Sequence, residues 1–306
     1  MLTWLLCWSV ACSETEKEDC SSENCTEDTS EANEDTAFFD TGFEEDTAET
    51  STDSAEPSAE PENSMDTGEE LPVAPCDGIE ICDDFDHYPV YDVPPASHWT
   101  IETPNCSGNG EVLVTDDFAY SGTQSIKVTG VGGYCDHIFI APTEDVSSIG
   151  PIFYGRFWMR VDSAFGWEHI TFLAMKDEIE GKDLRMGGQS QIMMWNRESD
   201  DATLPELSPT GISLSYAPVP QTWTCISFAV DELSGTIETW VNGESIEGLT
   251  QDNEATPDVD RQWVQQKPDW APSLVDIKLG WESYGGGSNI VWYDDVAFSS
   301  SPLSCD

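Results

Sequence analysis

The run IFYGRFWMRV, at residues 152–161, constrains the fold more than any other segment. Apolar side chains occupy its odd positions, namely Phe153, Phe157, Met159 and Val161. Aromatic and cationic side chains occupy its even positions, namely Tyr154, Arg156, Trp158 and Arg160. Because successive side chains of a β-strand point to opposite faces, this run predicts a strand with one core face and one aromatic, cationic face.

Similar short runs recur through the rest of residues 76–306, separated by Gly, Pro and Asn turn signals. They lie at 111–115, 124–129, 137–141, 169–176, 190–196, 211–216, 222–230, 236–241, 273–281 and 289–298. Asn242-Gly243 is a strong tight-turn signal, and only 257–266 carries a weak helical period. The pattern predicts an all-β domain, built as a two-sheet sandwich or jelly roll.

The chain before residue 76 has a different composition. The formal net charge of the protein is −49, yet residues 13–75 contain one base, Lys17, and few large apolar side chains. Such a segment cannot bury enough apolar surface to fold, and its charges repel one another. We expect a disordered acidic stalk at 13–75. The charge also excludes nucleic acid and anionic membrane as charge-driven partners.

Residues 1–12 form the longest apolar run of the chain, but it is too short for a membrane helix. The run ends in Ser9-Val10-Ala11-Cys12, which resembles the lipobox of a bacterial lipoprotein signal. This resemblance implies lipidation of Cys12 and a cell-surface protein held in a bacterial envelope by its lipid anchor alone. An ordinary secretory signal is the alternative.

The chain has 10 cysteines, which indicates an oxidising compartment. The domain's cysteines lack the paired spacing and His partners of a zinc site, so they predict disulfides. We expect Cys106 to pair with Cys135, and Cys305 to pair with Cys76 or Cys82.

Alternation in neighbouring runs extends the aromatic, cationic face. His169 and Thr171 share one side of 169–176, while Gln191, Trp195 and Arg197 share one side of 190–197. If these strands are neighbours, the second faces form one surface. Most of the domain's bases also fall within 156–197, namely Arg156, Arg160, Lys176, Lys182, Arg185 and Arg197. Aromatic rings stack on the C–H faces of sugars, and Arg binds uronate carboxylates through paired hydrogen bonds. The pattern therefore predicts a site for an acidic polysaccharide. The alternative is that these bases pair with local acids on a solvated face.

Several motifs carry a family resemblance. They are the run at 183–209, CDDFDHY at 82–88, YGRFWMRV at 154–161, TWTC at 222–225 and WYDDVAF at 292–298. Together they resemble the core domain of the fungal cellulose-induced secreted proteins and their bacterial homologues. The resemblance spans roughly residues 80–305 and implies a concanavalin A-like jelly roll, similar to glucuronan and alginate lyases, with a polysaccharide partner.

The fold also implies a structural Ca²⁺, since such jelly rolls often bind one near the first and last strands. By resemblance its ligands would be Asp86, with Asp84 as an alternative, backbone carbonyls from Ser121 to Thr123, and Asp295. Carboxylates and loop carbonyls supply the oxygen ligands that this cation needs. The alternative is that these carboxylates only cap strand ends.

Lyase chemistry needs a group that neutralises the uronate carboxylate, a base for the C5 proton and an acid for the leaving oxygen. The candidate catalytic residues are His169 as the base, Tyr154 or Tyr284 as the acid, and Arg156, Gln189, Gln191 or Arg197 as the neutralising group. The expected sugar contacts are Trp158, Arg160, Lys176, Arg185, Gln189, Trp195, Arg197 and Tyr284.

The leading hypothesis is therefore a monomeric extracellular protein that binds an acidic polysaccharide, with its cleavage by β-elimination left open. The alternatives are a non-catalytic lectin-like adhesion protein and a structural envelope protein without glycan affinity. A glycosidase needs a pair of carboxylates at a defined separation, and nothing marks the candidates Glu238 and Glu282 as such a pair.

Overall fold

The computed structural model describes residues 76, 78–103, 109–133 and 137–305. The described strands are β1 (Ile81–Asp83), β2 (Trp99–Glu102), β3 (Glu111–Thr115), β4 (Ser125–Gly130), β5 (Ile138–Pro142), β6 (Ile152–Val161), β7 (Ile170–Asp177), β8 (Lys182–Gln189), β9 (Ile192–Arg197), β10 (Ala202–Leu204), β11 (Thr224–Asp231), β12 (Ile237–Val241), β13 (Glu244–Ser245), β14 (Lys278–Ser283) and β15 (Asn289–Ser299). Two short helices are described, α1 (Pro209–Leu214) and α2 (Arg261–Gln266). Within this part of the chain no helix is both long and apolar enough to cross a bilayer.

The strands form two antiparallel sheets, which confirms the all-β prediction. The eight-stranded sheet has the order β13-β12-β11-β6-β15-β4-β3, with β1 paired to β15, and the seven-stranded sheet has the order β10-β9-β8-β7-β14-β5-β2. The hydrophobic core lies between them. There the ring centroids of Trp195 and Phe228 are 5.4 Å apart. Tyr293 also donates across the core to the carbonyl of Gly280 at 2.8 Å.

Most of the predicted runs overlap observed strands, whereas β1, β2, β8, β10 and β13 lie outside every predicted run. The runs at 111–115 and 152–161 match β3 and β6 residue for residue, and Asn242 and Gly243 turn with φ of 50° and 81° between β12 and β13. The run at 211–216 is wrong as a strand because it overlaps α1. Ser208 caps this helix by accepting a hydrogen bond from the Gly211 N–H at 3.0 Å, and Pro209 suits its first turn.

Two disulfides lie in the described residues, Cys76–Cys82 and Cys225–Cys305. The expected pairing of Cys305 with Cys76 or Cys82 is therefore wrong: the last residues run over β11, whose Cys225 faces outward beside Trp158 of β6. Disulfides are typical of proteins in an oxidising compartment. Cys12 and the predicted Cys106–Cys135 pair lie outside the described residues.

The sheet order overturns the expectation of one continuous polar surface. Strand β6 lies between β11 and β15 in the eight-stranded sheet, whereas β7, β8 and β9 are neighbours in the seven-stranded sheet. We call the side of each sheet that points away from the core its outer face. The even positions of β6 are on one outer face, and the polar side chains of β7 and β8 are on the other.

Candidate functional site

Five chemically active side chains meet on the outer face of the seven-stranded sheet. We call His137, His169, Arg185, Glu282 and Tyr284 the His169 cluster. His169 immediately precedes β7, and Tyr284 immediately follows β14, where its N–H donates to the His169 carbonyl at 3.0 Å. The antiparallel register aligns Glu282 with Thr171 on β7, and Trp281 with Ile138 on β5. Strand pairing therefore brings together residues that are far apart in the sequence.

The His169 cluster has close internal contacts. The imidazole of His169 stacks on the ring of Tyr284, with 5.1 Å between centroids and 18° between planes. The guanidinium carbon of Arg185 lies 5.6 Å from the centre of the same ring. His137 Nδ1 lies 3.3 Å from Glu282 Oε2, with both side chains buried. A base, a phenol, a carboxylate and a cation therefore share one small site.

Burial sets the protonation states of this cluster. Desolvation, helped by the charge of Arg185, lowers the pKa of His169 to about 4. Desolvation, with a hydrogen bond to Glu282, raises the pKa of Tyr284 well above its usual range. Desolvation opposes the charge of Arg185, but Glu282 and other anionic groups outweigh it and raise the pKa of Arg185. At neutral pH the cluster thus holds a neutral imidazole, a protonated phenol and a charged guanidinium.

Three further side chains lie near this cluster. Gln189 ends β8 and faces the same side as Arg185, four residues apart on the strand. Gln191 is exposed in the β8–β9 turn, with φ of 69°, and its N–H donates to the Gly166 carbonyl at 2.9 Å. Trp167, which follows Gly166 in the sequence, is 68% exposed. Neither Trp167 nor His137 was among the sequence candidates, and Glu282 was considered only as a glycosidase carboxylate. The exposed ring of Trp167 can contact a ligand at the rim.

The lysines of this face are engaged in local contacts. Lys182 and Arg185 both pair with Glu198, at 3.2 Å and 3.0 Å. Lys278 pairs with Asp276 at 2.6 Å. Lys176 donates to the Gly181 carbonyl at 2.9 Å. The pairing expected under the alternative interpretation is therefore present here.

Two expected sugar contacts are interior residues. Trp195 is fully buried between the sheets, where its indole N–H donates to Thr239 Oγ1 at 2.9 Å. Arg197 is 2% exposed and lies 4.6 Å over the ring of Trp263, with an ion pair to Asp200 at 2.7 Å. The expectation that they present their side chains to a ligand is corrected. On β9 the side facing the core carries these larger residues.

The even positions of β6 lie on the outer face of the other sheet. Arg160 is 8% exposed and stacks 3.9 Å from the centre of the Phe118 ring. Trp158 stacks on Tyr120 with 3.4 Å between centroids. Arg156 donates to the carbonyls of Ser304 and Asp295, and Tyr154 is half-buried. None of these β6 residues joins the His169 cluster, so their expected role there is wrong.

The residues predicted to hold Ca²⁺ do lie together at one end of the sandwich. Asp86 accepts from the Thr123 N–H at 2.7 Å, and Ser121 Oγ donates to Asp295 at 2.8 Å. Burial raises the pKa of Asp295, and the nearby carboxylates of Asp84 and Asp86 raise it further. Among the described residues, no group of three or more His, Cys, Asp or Glu is arranged as a metal site. Calcium stays a prediction here.

Comparison with known proteins identifies the family. The family model described as "Polysacc_lyase-like: Cip1-like, core domain" matches residues 91–301. The solved structure of "Cellulose induced protein, Cip1" is 37% identical, covers 74% of this chain and 100% of its own, and has a TM-score of 0.67. An endo-β-1,4-glucuronan lyase from the fungus Trichoderma reesei is 15% identical over 69% of this chain and 94% of its own, with a TM-score of 0.46. A search of the curated proteins finds no match. The chain belongs to the polysaccharide-lyase-like family of Cip1-like core domains.

Proposed function

We propose that this domain binds a uronate-containing polysaccharide across the outer face of its seven-stranded sheet and cleaves it by β-elimination at the His169 cluster. The observation that carries the proposal is the stack of His169 on Tyr284 beside the guanidinium of Arg185. The family to which the chain belongs is described as polysaccharide-lyase-like, and this supports the same reaction class.

The reaction follows from the protonation states of the cluster. Neutral His169 takes the proton from C5 of the uronate, and the electrons of the C5–H bond form the C4=C5 double bond. The C4–O bond breaks, and the leaving oxygen takes a proton from Tyr284. Arg185 stabilises the charge that builds on the uronate carboxylate before C4–O cleavage. The exposed ring of Trp167 would contact the polymer as it leaves the cluster.

A lectin-like protein that binds without cleavage is the second candidate. One observation favours it: Arg185 is buried and already ion-paired with Glu198 at 3.0 Å. A uronate carboxylate would have to exchange with this partner or share it. Binding alone requires less rearrangement than catalysis, because only catalysis demands a strict geometry around C5.

The test is incubation with glucuronan or alginate, followed by ultraviolet absorbance of the unsaturated product. If the domain is a lyase, we expect the wild-type protein and His87→Ala to release unsaturated product, and His169→Ala and Tyr284→Phe to release none. His87 is exposed and lies outside the cluster, so it is the matched control. Retention of polymer without product identifies the lectin. If the protein releases no product and retains no polymer, both candidates are overturned.

We further propose that the domain is held at a bacterial surface by a lipid on Cys12 and the acidic segment 13–75, and that it binds a structural Ca²⁺. Asp86 and Asp295 would hold the cation, with carbonyls of Ser121 and Thr123. Support comes from the mutual repulsion of these partly buried carboxylates, which a cation would relieve.

A further inference from the structure

A cavity of about 240 Å³ opens on the outer face of the eight-stranded sheet, opposite the His169 cluster. Tyr154, Ser227, Trp240 and Leu303 are among the residues that line it. We call it the Tyr154 slot. Tyr154 and Trp240 are both half-buried, so each ring has one part packed and one part free to contact a ligand.

Strand register explains the shape of the slot. Tyr154 lies on β6 and Trp240 on β12, with β11 between them. The side chains of β11 at this point are small, since Ala229 is opposite Tyr154 and Ser227 is opposite Trp240. Two strand spacings and an offset of two residues along β11 separate the backbones of Tyr154 and Trp240 by about 12 Å. A pyranose ring needs roughly 4 Å to a ring on each side, so one sugar unit fits between them.

The end of the chain forms the roof of the slot and is fixed at several points. Cys305 is bonded to Cys225 of β11, with 5.9 Å between their Cα atoms. Arg156 Nη1 donates to the Ser304 carbonyl at 3.3 Å. At the start of this segment the Ser300 N–H donates to Glu80 at 3.3 Å. Because the roof is held covalently, the slot exists before any ligand binds.

The lining suits a sugar rather than a purely apolar ligand. Its two rings match the C–H face of a pyranose, and the hydroxyl of Ser227 and the carbonyl of Ser304 match sugar hydroxyls. No charged side chain is among the described lining residues. Arg156 is opposite Ser227 in the strand register, and its Nε is buried without a hydrogen-bond partner in the described structure. The volume is below the roughly 300 Å³ at which pockets for larger ligands begin.

We propose that the Tyr154 slot is a second glycan-binding site, which takes one pyranose unit of a polysaccharide on the sheet opposite the candidate catalytic site. The site does not depend on lyase activity. The two sheets would then contact polysaccharide independently, one for recognition and the other for the proposed cleavage.

The test is a titration of the full chain followed by NMR of the tryptophan indole N–H groups. The probes are tetraglucuronate and its neutral counterpart cellotetraose, and Trp240→Ala assigns the Trp240 resonance. We expect this resonance to shift saturably with at least one probe. Ser227→Leu, which fills the floor, should weaken that Kd at least tenfold, whereas His169→Ala should leave it unchanged.

Other outcomes would overturn the proposal. No shift of the Trp240 resonance at millimolar sugar, or a Kd unchanged by Ser227→Leu, would show that the slot does not take a pyranose. A Kd that His169→Ala weakens as strongly as Ser227→Leu would place the sugar on the other sheet. Because the readout is binding at Trp240, a protein without lyase activity can still pass this test.

Discussion

His169 should remain neutral far below the pH at which an ordinary histidine becomes charged. The experiment is a titration from pH 8 to about pH 3, which passes through the expected midpoint. Burial and the charge of Arg185 lower the pKa of His169 from 6.5 to about 4. In the unfolded chain the same imidazole takes a proton near pH 6.5. Between these values the unfolded state therefore binds more protons than the folded state.

The sign of the stability change follows from this difference. Above about pH 6.5 the lowered pKa of His169 does not affect the free energy of unfolding, because the imidazole is neutral in both states. As pH falls from about 6.5 to about 4, the folded state loses stability. The lowering from 6.5 to about 4 corresponds to about 3 kcal/mol of unfolding free energy, as an upper value. In His169→Gln, which cannot be protonated, that part of the pH dependence should disappear.

The assay combines imidazole NMR with urea unfolding at several pH values. The chain has 4 histidines, so the resonance lost in His169→Gln identifies His169. We expect a midpoint near pH 4 for that resonance, and a shallower pH dependence of unfolding free energy in the variant. A midpoint near pH 6.5, or identical pH profiles for both proteins, would refute the reasoning.

Three further predictions concern the stability of the fold. Replacing both Cys225 and Cys305 with Ser should lower the free energy of unfolding by about 4.5 kcal/mol, since the disulfide closes a loop with a sequence separation of 80; a urea midpoint equal to that of wild type would contradict this. Trp195→Phe should cost about 2 kcal/mol, because it removes buried volume and leaves Thr239 Oγ1 without its donor; thermal unfolding measures the change, and an unchanged Tm would count against it. Millimolar Ca²⁺ should raise the Tm above the value measured in the presence of a chelator, and Asp86→Asn should abolish this difference. The same Tm with Ca²⁺ and with chelator would contradict the calcium proposal.

Local periodicity predicted most of the longer strands and, for β6, the two faces. The alternation in 152–161 correctly separated core Phe157 from outward Trp158, because one strand period sets both. It could not show which strands are neighbours. Strand β6 pairs with β11 and β15, both far along the chain, and this long-range pairing separated Arg156 from His169.

Polarity alone also misassigned β9. Trp195 and Arg197 carry polar atoms, but the indole N–H of Trp195 donates to Thr239 and Arg197 Nη2 donates to Asp200, so both residues are buried. No local pattern shows such partners. His137 was missed for the same reason, because its partner is distant in the sequence. His137 immediately precedes β5, and Glu282 lies on β14, which pairs with β5 in the folded protein.

The crystal structure of a complex with a uronate tetrasaccharide, using the slow variant Tyr284→Phe, tests the central claim most directly. We expect a uronate ring on the outer face of the seven-stranded sheet, with its carboxylate at hydrogen-bond distance from Arg185 and its C5 facing His169. A tetrasaccharide that occupies only other surfaces, with the His169 cluster unchanged and without sugar, would contradict it.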